Sequence, residues 1–262
     1  MSKQLLIYQD VKPVNKKDHQ DLSLKGTGTL EFLRDVNSIP LTLPEIPLAA
    51  HEFPIVFSGN DDAVVPTLVV GIANDENLAI NEDNKWIGRY VPAFVRRYPF
   101  VFSKSDEAES FTLCIDETYP GVNRDGKGER LFDSAGENTQ YLEGVLTFLK
   151  EYQAHFVQTQ IFCDRLKELD LLEPVAANFE FADGSKASLS GFQAVSRKKL
   201  KEIPEDQLLA MFQRDELELL YMHLFSMNRF NYLNELSQAK KDAGAKKTTK
   251  KKTSSKKAET TH

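Results

Sequence analysis

Between Pro54 and Ile115 the apolar residues come in short runs rich in β-branched and aromatic side chains: Pro54-Ile-Val-Phe57, Thr67-Leu-Val-Val-Gly-Ile72, Leu78-Ala-Ile80, Tyr98-Pro-Phe-Val-Phe102 and Phe111-Thr-Leu-Cys-Ile115. Asn74-Asp-Glu-Asn77 and Asn81-Glu-Asp-Asn84 supply turn residues between them, which predicts a meander of short antiparallel strands. The runs at 98–102 and 111–115 flank a charged loop, Ser103–Ser110, and are expected to continue that sheet, with Pro99 at an edge or strand start. From Asn138 to Leu169 the spacing lengthens. Leu142, Val145, Leu149, Tyr152, Phe156, Ile161, Leu166 and Leu169 recur mostly three to five apart, which predicts one long amphipathic helix.

Pro174 ends that region, and Asn178-Phe-Glu-Phe181, the turn Asp183-Gly184 and Ala187–Val195 then read as a hairpin. Pro204 followed by Glu205 and Asp206 opens a helix of roughly ten residues, because a proline at a helix start costs no hydrogen bond and acids suit the positive end of the dipole. A last helix follows, with Asp215 as its expected cap and Leu217, Leu220, Leu224, Met227 and Leu233 as its apolar stripe. Upstream, residues 10–52 carry Pro13, Pro40, Pro44 and Pro47, and Leu41-Thr-Leu-Pro-Glu-Ile-Pro-Leu48 favours extended backbone wrapping the core. Residues 116–136 read as a long irregular connection broken by Pro120-Gly121, Asp125-Gly126 and Ala135-Gly136. The fold class is therefore α+β: a mainly antiparallel sheet of short strands, one long helix, a C-terminal helical pair and a Lys-rich tail. Residues 1–238 form the α+β domain, with any sub-boundary near 116–136, and 239–262 form a disordered tail too poor in apolar surface to fold.

Charge sharpens this division. The chain of 262 residues carries a formal −6, yet residues 239–262 hold nine lysines against Asp242 and Glu259, so the tail stands at +7 and the body near −13. An acidic body is unsuited to gripping a phosphate backbone, so nucleic-acid contact falls to the tail alone. No apolar run reaches the length of about 20 residues that crosses a bilayer as a helix, and Leu5-Leu-Ile-Tyr8 is too short for a leader's apolar region. The expected location is the cytoplasm, with leaderless export to the cell surface as the alternative. Cys114 and Cys163 fit neither a disulfide framework nor a zinc array.

Candidate chemistry is sparse. Aligning Gly126 with the glycine of a calcium-binding EF-hand loop puts Gly121 and Phe132 where carboxylates are needed, so Asp125-Gly126 reads as a turn. Asp116, Glu117, Asp125, Glu129 and Asp133 are solvated loop charges unless the fold brings them together for metal or acid/base work. His19, His51, His155 and His223 show no metal-ligand spacing. His223 sits in the last helical pattern as a core histidine, with Ser226 one turn on as its expected hydrogen-bond partner. No serine-nucleophile elbow or phosphate-cradling glycine loop is present, and no cofactor is called for. The dense segment is Trp86–Phe102, which gathers Tyr90, Phe94, Tyr98, Phe100 and Phe102 with Arg89, Arg96, Arg97, Pro92 and Pro99. It reads as a half-buried strand and turn, or as a groove in which Arg96 or Arg97 grips a carboxylate or phosphate while Tyr90, Phe94 or Tyr98 stacks on the ligand. Alternation along a strand would put the two arginines on opposite faces.

Four segments resemble the bacterial SapC family over roughly residues 20–236: Glu52-Phe-Pro-Ile-Val-Phe57, Tyr90-Val-Pro-Ala-Phe-Val-Arg-Arg-Tyr-Pro-Phe100, Arg130-Leu-Phe-Asp133 with Gly136, and Leu189-Ser-Gly-Phe192 running on to His223-Leu-Phe-Ser226. The resemblance implies association with a bacterial surface layer, and an accessory role beside enzymes or outer-membrane receptors. It brings no catalytic residues and no cofactor. Together these readings lead to a non-catalytic binding or accessory protein, whose partner is a protein or a small anionic ligand at the Arg/aromatic segment. The alternatives are a hydrolase or metal-dependent oxygenase using the loop carboxylates and His223, and nucleic-acid association through the tail.

Overall fold

The computed structural model describes residues 6–59, 63–104 and 111–243. In chain order the first elements are β1 (Val11–Pro13), α1 (Lys16–His19), β2 (Ser23–Leu24), β3 (Ser38–Pro40), α2 (Ile46–Ala49), β4 (Ile55–Gly59) and β5 (Val64–Val69). The short helix α3 (Ala93–Arg96) precedes β6 (Phe100–Lys104), β7 (Phe111–Asp116), β8 (Val122–Asn123) and β9 (Glu129–Arg130). The long helix α4 (Gln140–Glu168) leads to β10 (Leu172–Glu180) and β11 (Lys186–Val195), then α5 (Arg197–Lys201), α6 (Glu205–Gln213) and α7 (Glu216–Ser226). Residues 230–243 are again helical, so the first five residues of the predicted tail continue a helix, and the rest of that tail lies outside the described residues.

The strands form three antiparallel sheets, not one. The largest runs β10-β11-β4-β5-β3, with Ile55 opposite Leu68 and Gln193 opposite Phe57. Every residue of β5 is buried, which is why Val64-Val-Pro-Thr-Leu-Val69 shows no polar alternation: both faces of the sheet are covered. One core packs Phe57 and Val64 against Phe162, Cys163 and Leu166 of α4 and Leu220 and Leu224 of α7. A second gathers Ile39, Ile55, Val56 and Leu68 with Leu33, Ile46, Phe53, Phe94 and, from the last helix, Leu233. The 98–102 and 111–115 strands leave this sheet and form a second one, β1-β7-β6, because β1 takes the free edge of β7 with Val11 opposite Asp116. The 116–136 connection is more ordered than its sequence suggests. Its β8 and β9 pair with either side of β2, and Phe100, Ile115, Leu131 and Phe132 form a core with Leu142 and Leu149 of α4.

Helix α4 starts where the pattern predicts. Thr139 caps it by accepting the Leu142 N–H at 3.3 Å, and Arg165 and Lys167 lie in its last turn, suited to the negative end of the dipole. Its buried stripe shifts from the expected one along its second half, where Thr159, Phe162, Cys163 and Leu166 face inward and Ile161 is 53% exposed. Two other expectations change. Within Leu41–Leu48 the backbone turns helical from Leu43 on: Thr42 and Glu45 form a capping box, and Pro44 and Pro47 occupy first-turn positions that need no N–H acceptor. Asp215 makes no capping hydrogen bond. With φ +59° it is the left-handed link that ends α6, donating its N–H to the Phe212 carbonyl at 3.1 Å.

Candidate functional site

The Trp86–Phe102 segment is held by two carboxylates from the preceding helical corner. Glu52, just after α2, accepts the N–H of Arg89 at 2.8 and 2.9 Å and that of Tyr90 at 3.1 Å. Glu45, 3% exposed, accepts the N–H of Ala93 at 2.7 Å and the phenol of Tyr90 at 2.9 Å, while its other oxygen takes the N–H and hydroxyl of Thr42. Glu45 thus ties the 42–45 turn to the start of α3. Close packing reinforces the Glu52 tie: a Cβ on Gly88 would lie 2.0 Å from the Glu52 Oε2 and 2.6 Å from the Trp86 Nε1, so any larger residue must push the carboxylate aside. The carboxylates are spent on backbone, a role with no periodic signature. For Glu45 the Thr-x-x-Glu spacing of a capping box was the available signal; Glu52 had none.

Arg96 and Arg97 leave this frame in different directions. They end a helical turn, not a strand, and consecutive positions on a helix lie about 100° apart, so one faces out and the other in. Arg97 is 4% exposed, its guanidinium over the rings of Phe94, Tyr152 and Tyr8 at 4.5, 4.8 and 5.6 Å. These cation–π contacts replace water around a buried charge. Burial pushes the Tyr8 phenol well above its ordinary range, against the pull of the Arg97 charge, so Tyr8 stays neutral and donates to the Phe100 carbonyl at 2.6 Å. Phe94 is fully buried, so neither Phe94 nor Arg97 presents the solvent-facing grip anticipated for it.

Arg96 is exposed, yet it is held. Its Nε donates to the Val91 carbonyl at 3.1 Å and its Nη2 reaches the Tyr90 phenol at 3.4 Å, with the guanidinium also over the Phe148 ring at 5.2 Å. Burial, then the Glu45 charge, raise the Tyr90 phenol above its usual range, so Tyr90 relays a hydrogen bond from Arg96 to Glu45. Among the described residues two of the five guanidinium N–H groups are used, and the Nη1 group keeps both of its own. Arg96 separates two clefts. One, of about 290 Å³, is walled by Gly26–Thr29, Phe32, Trp86, Tyr98 and Tyr119. The other, of about 280 Å³, includes Pro44, Tyr90, Phe148, Glu151 and His155. Tyr98 is half-buried, stacked at a tilt on Phe32 with centroids 4.3 Å apart and edge-on to Tyr119 at 5.5 Å. Burial, with the Asp116 charge adding, pushes its phenol up to about 12.

The carboxylates of the 116–136 loop do not converge. Asp116 is fully buried, accepting N–H groups from Gln9, Asp10 and Thr118 and the Thr118 hydroxyl. Burial alone would raise its carboxyl, but these hydrogen bonds prevail and hold it below the ordinary range. Glu117 pairs with Lys12 and lies 3.3 Å from the His19 ring. Asp125 pairs with Lys127, and Asp133 accepts the N–H groups of Ala135 and Glu137. Among the described residues no group of three or more His, Cys, Asp or Glu side chains is placed to hold a metal ion.

His223 is fully buried between strands. Its Nδ1 donates to the Ile55 carbonyl at 2.8 Å and its Nε2 accepts the Val195 N–H at 3.1 Å. The expected Ser226 partner acts elsewhere: its hydroxyl donates to the His223 carbonyl and accepts the Ile55 N–H, so the pair pins α7 to β4. The ring reaches no solvent and no carboxylate pair, which separates it from the chemistry considered for it. Beyond residue 243 the tail-borne nucleic-acid reading falls on residues outside those described.

No curated protein and no solved structure matches the chain. The family model for SapC, however, matches residues 14–233, which include the β2–β8–β9 sheet, the Glu45 and Glu52 ties and Arg96, and on that match the chain belongs to the SapC family.

Proposed function

We propose that this SapC family chain is a non-catalytic binding or accessory protein, and that Arg96 is its recognition element. The observation that carries the reading is a guanidinium fixed by Tyr90 and Val91 between two clefts, with its Nη1 edge unspent among the described residues. A pre-placed arginine loses less freedom on engaging a carboxylate or phosphate than a mobile one, so more of the contact energy appears as affinity. Tyr90 and Tyr98 border the clefts and supply aromatic contact, while Phe94 and Arg97 support them from inside. The partner carries an accessible acid, on a protein or a small ligand. By family association it is a component of the bacterial cell surface, or an enzyme or receptor acting there.

Affinity capture with the full chain, from the cell that produces it, tests the reading by mass spectrometry. Arg96→Ala should lose the captured partner, Arg96→Lys should retain part of it, and the thermal midpoint of both should match the parent. Equal capture by the parent and Arg96→Ala would refute the assignment.

A further inference from the structure

A cleft of about 500 Å³ shares no lining residue with the two beside Arg96. Phe53 and Tyr232 form its apolar base, with ring centroids 6.0 Å apart, and Ile87, 40% exposed, forms a wall. Arg89, Arg229 and His51 supply its basic groups. Its one carboxylate, Glu52, is already occupied by the N–H groups of Arg89 and Tyr90. Neither the Arg89 nor the Arg229 guanidinium makes an ion pair or side-chain hydrogen bond among the described residues. In a chain whose body is strongly acidic, two arginines left without carboxylates around one apolar hollow are an exception to the surrounding charge. Gly88 lets the wall close tightly on Glu52 and Trp86, whose indole N–H is buried there without an acceptor.

We propose that this cleft binds a small organic oxyanion, a carboxylate or phosphate monoester carried on a flat apolar body. The guanidinium forks match the planar or tetrahedral oxyanion, and the aromatic base and Ile87 take the apolar body. The volume falls within the range of small-ligand clefts, about 300–1,000 Å³. His51, packed edge-on to Phe225 at 5.9 Å, also lines the cleft.

Isothermal titration of the full chain with 2-naphthoate, 2-naphthyl phosphate, 2-naphthamide and inorganic phosphate tests this. Both naphthyl anions should bind at least about tenfold more tightly than the neutral amide and than inorganic phosphate, the factor expected for one charge-assisted hydrogen bond. Arg89→Gln and Arg229→Gln should each weaken the naphthyl anions by about tenfold at an unchanged thermal midpoint. If Arg229→Gln lowers the midpoint, the exposed Arg89 carries the test. Equal binding of naphthoate and naphthamide, no binding of either anion, or full affinity in Arg89→Gln would overturn the proposal. So would loss of binding in Arg96→Gln alone, which would move the site to the neighbouring clefts.

Discussion

Replacing His223 by Gln should flatten the acid side of the stability profile. In the folded chain the imidazole is neutral by geometry: Nε2 must accept the Val195 N–H, so a proton there would set two N–H groups against each other. Burial adds the cost of charging the ring away from water, partly relieved by the Ile55 carbonyl, and the group is held down to about 4. In the unfolded chain it titrates near 6.5. Between those values the unfolded state binds more protons than the folded one, so stability contributed by the neutral ring is complete above about pH 6.5 and is lost as the pH falls toward 4. The whole difference is worth about 3 kcal/mol, of which about 2 kcal/mol is gone by pH 5. Urea unfolding at pH 7.5 and pH 5.0, followed by the fluorescence of the single tryptophan, Trp86, measures it. A Gln amide offers the same donor and acceptor without titrating, so the variant should lose about 2 kcal/mol less than the parent across that interval. Other titrating groups act on both proteins and cancel in the comparison. An equal loss in the variant and the parent would refute the buried-imidazole account.

Glu45→Ala should destabilise by about 3 kcal/mol in the same assay, because it strands the buried N–H groups of Thr42 and Ala93 and frees the Tyr90 phenol. A change below about 1 kcal/mol would mean the tie is dispensable. Gly88→Ala should cost about 1–2 kcal/mol by displacing Glu52 from Arg89 and Tyr90, and Glu52→Ala in the same background should add little, since the two changes break one contact. Cys114 and Cys163 are 3% and 0% exposed, and burial pushes the Cys163 thiol up to about 12. Ellman's reagent at pH 8 should therefore find no fast thiol in the native chain and two in urea; a fast native reaction would contradict the packing around α4.

Local elements were legible because their causes are local. The three-to-four spacing of α4, the Asp183-Gly184 turn between β10 and β11, and Pro204 at the start of α6 each act within a few residues. Partnership across the chain was not. Nothing near Phe111–Ile115 shows that Val11–Pro13 will claim its edge and separate it from β4 and β5. At the Arg96 segment, composition drew attention to Trp86–Phe102, but the spacing Ala93-Phe-Val-Arg-Arg97 fits a strand as readily as a helical turn. Only the Glu45 tie to Ala93 and Tyr90 settles the turn, and with it which arginine faces water. The Arg89–Arg229 cleft joins residues far apart in sequence, and no periodicity links them.

The pairing of β1 and β2 bears on how the protein is made. Among the described residues, 11–13 find their strand partners in 114–116, and 23–24 in 122–123 and 129–130. At a synthesis rate of about 5–20 residues per second, the first strands leave the ribosome roughly ten seconds before their partners exist. Throughout that interval Leu22 and Leu24, both buried in the finished protein, have no core to join. The second and third sheets therefore close only once residues about 100 positions further along the chain have been made.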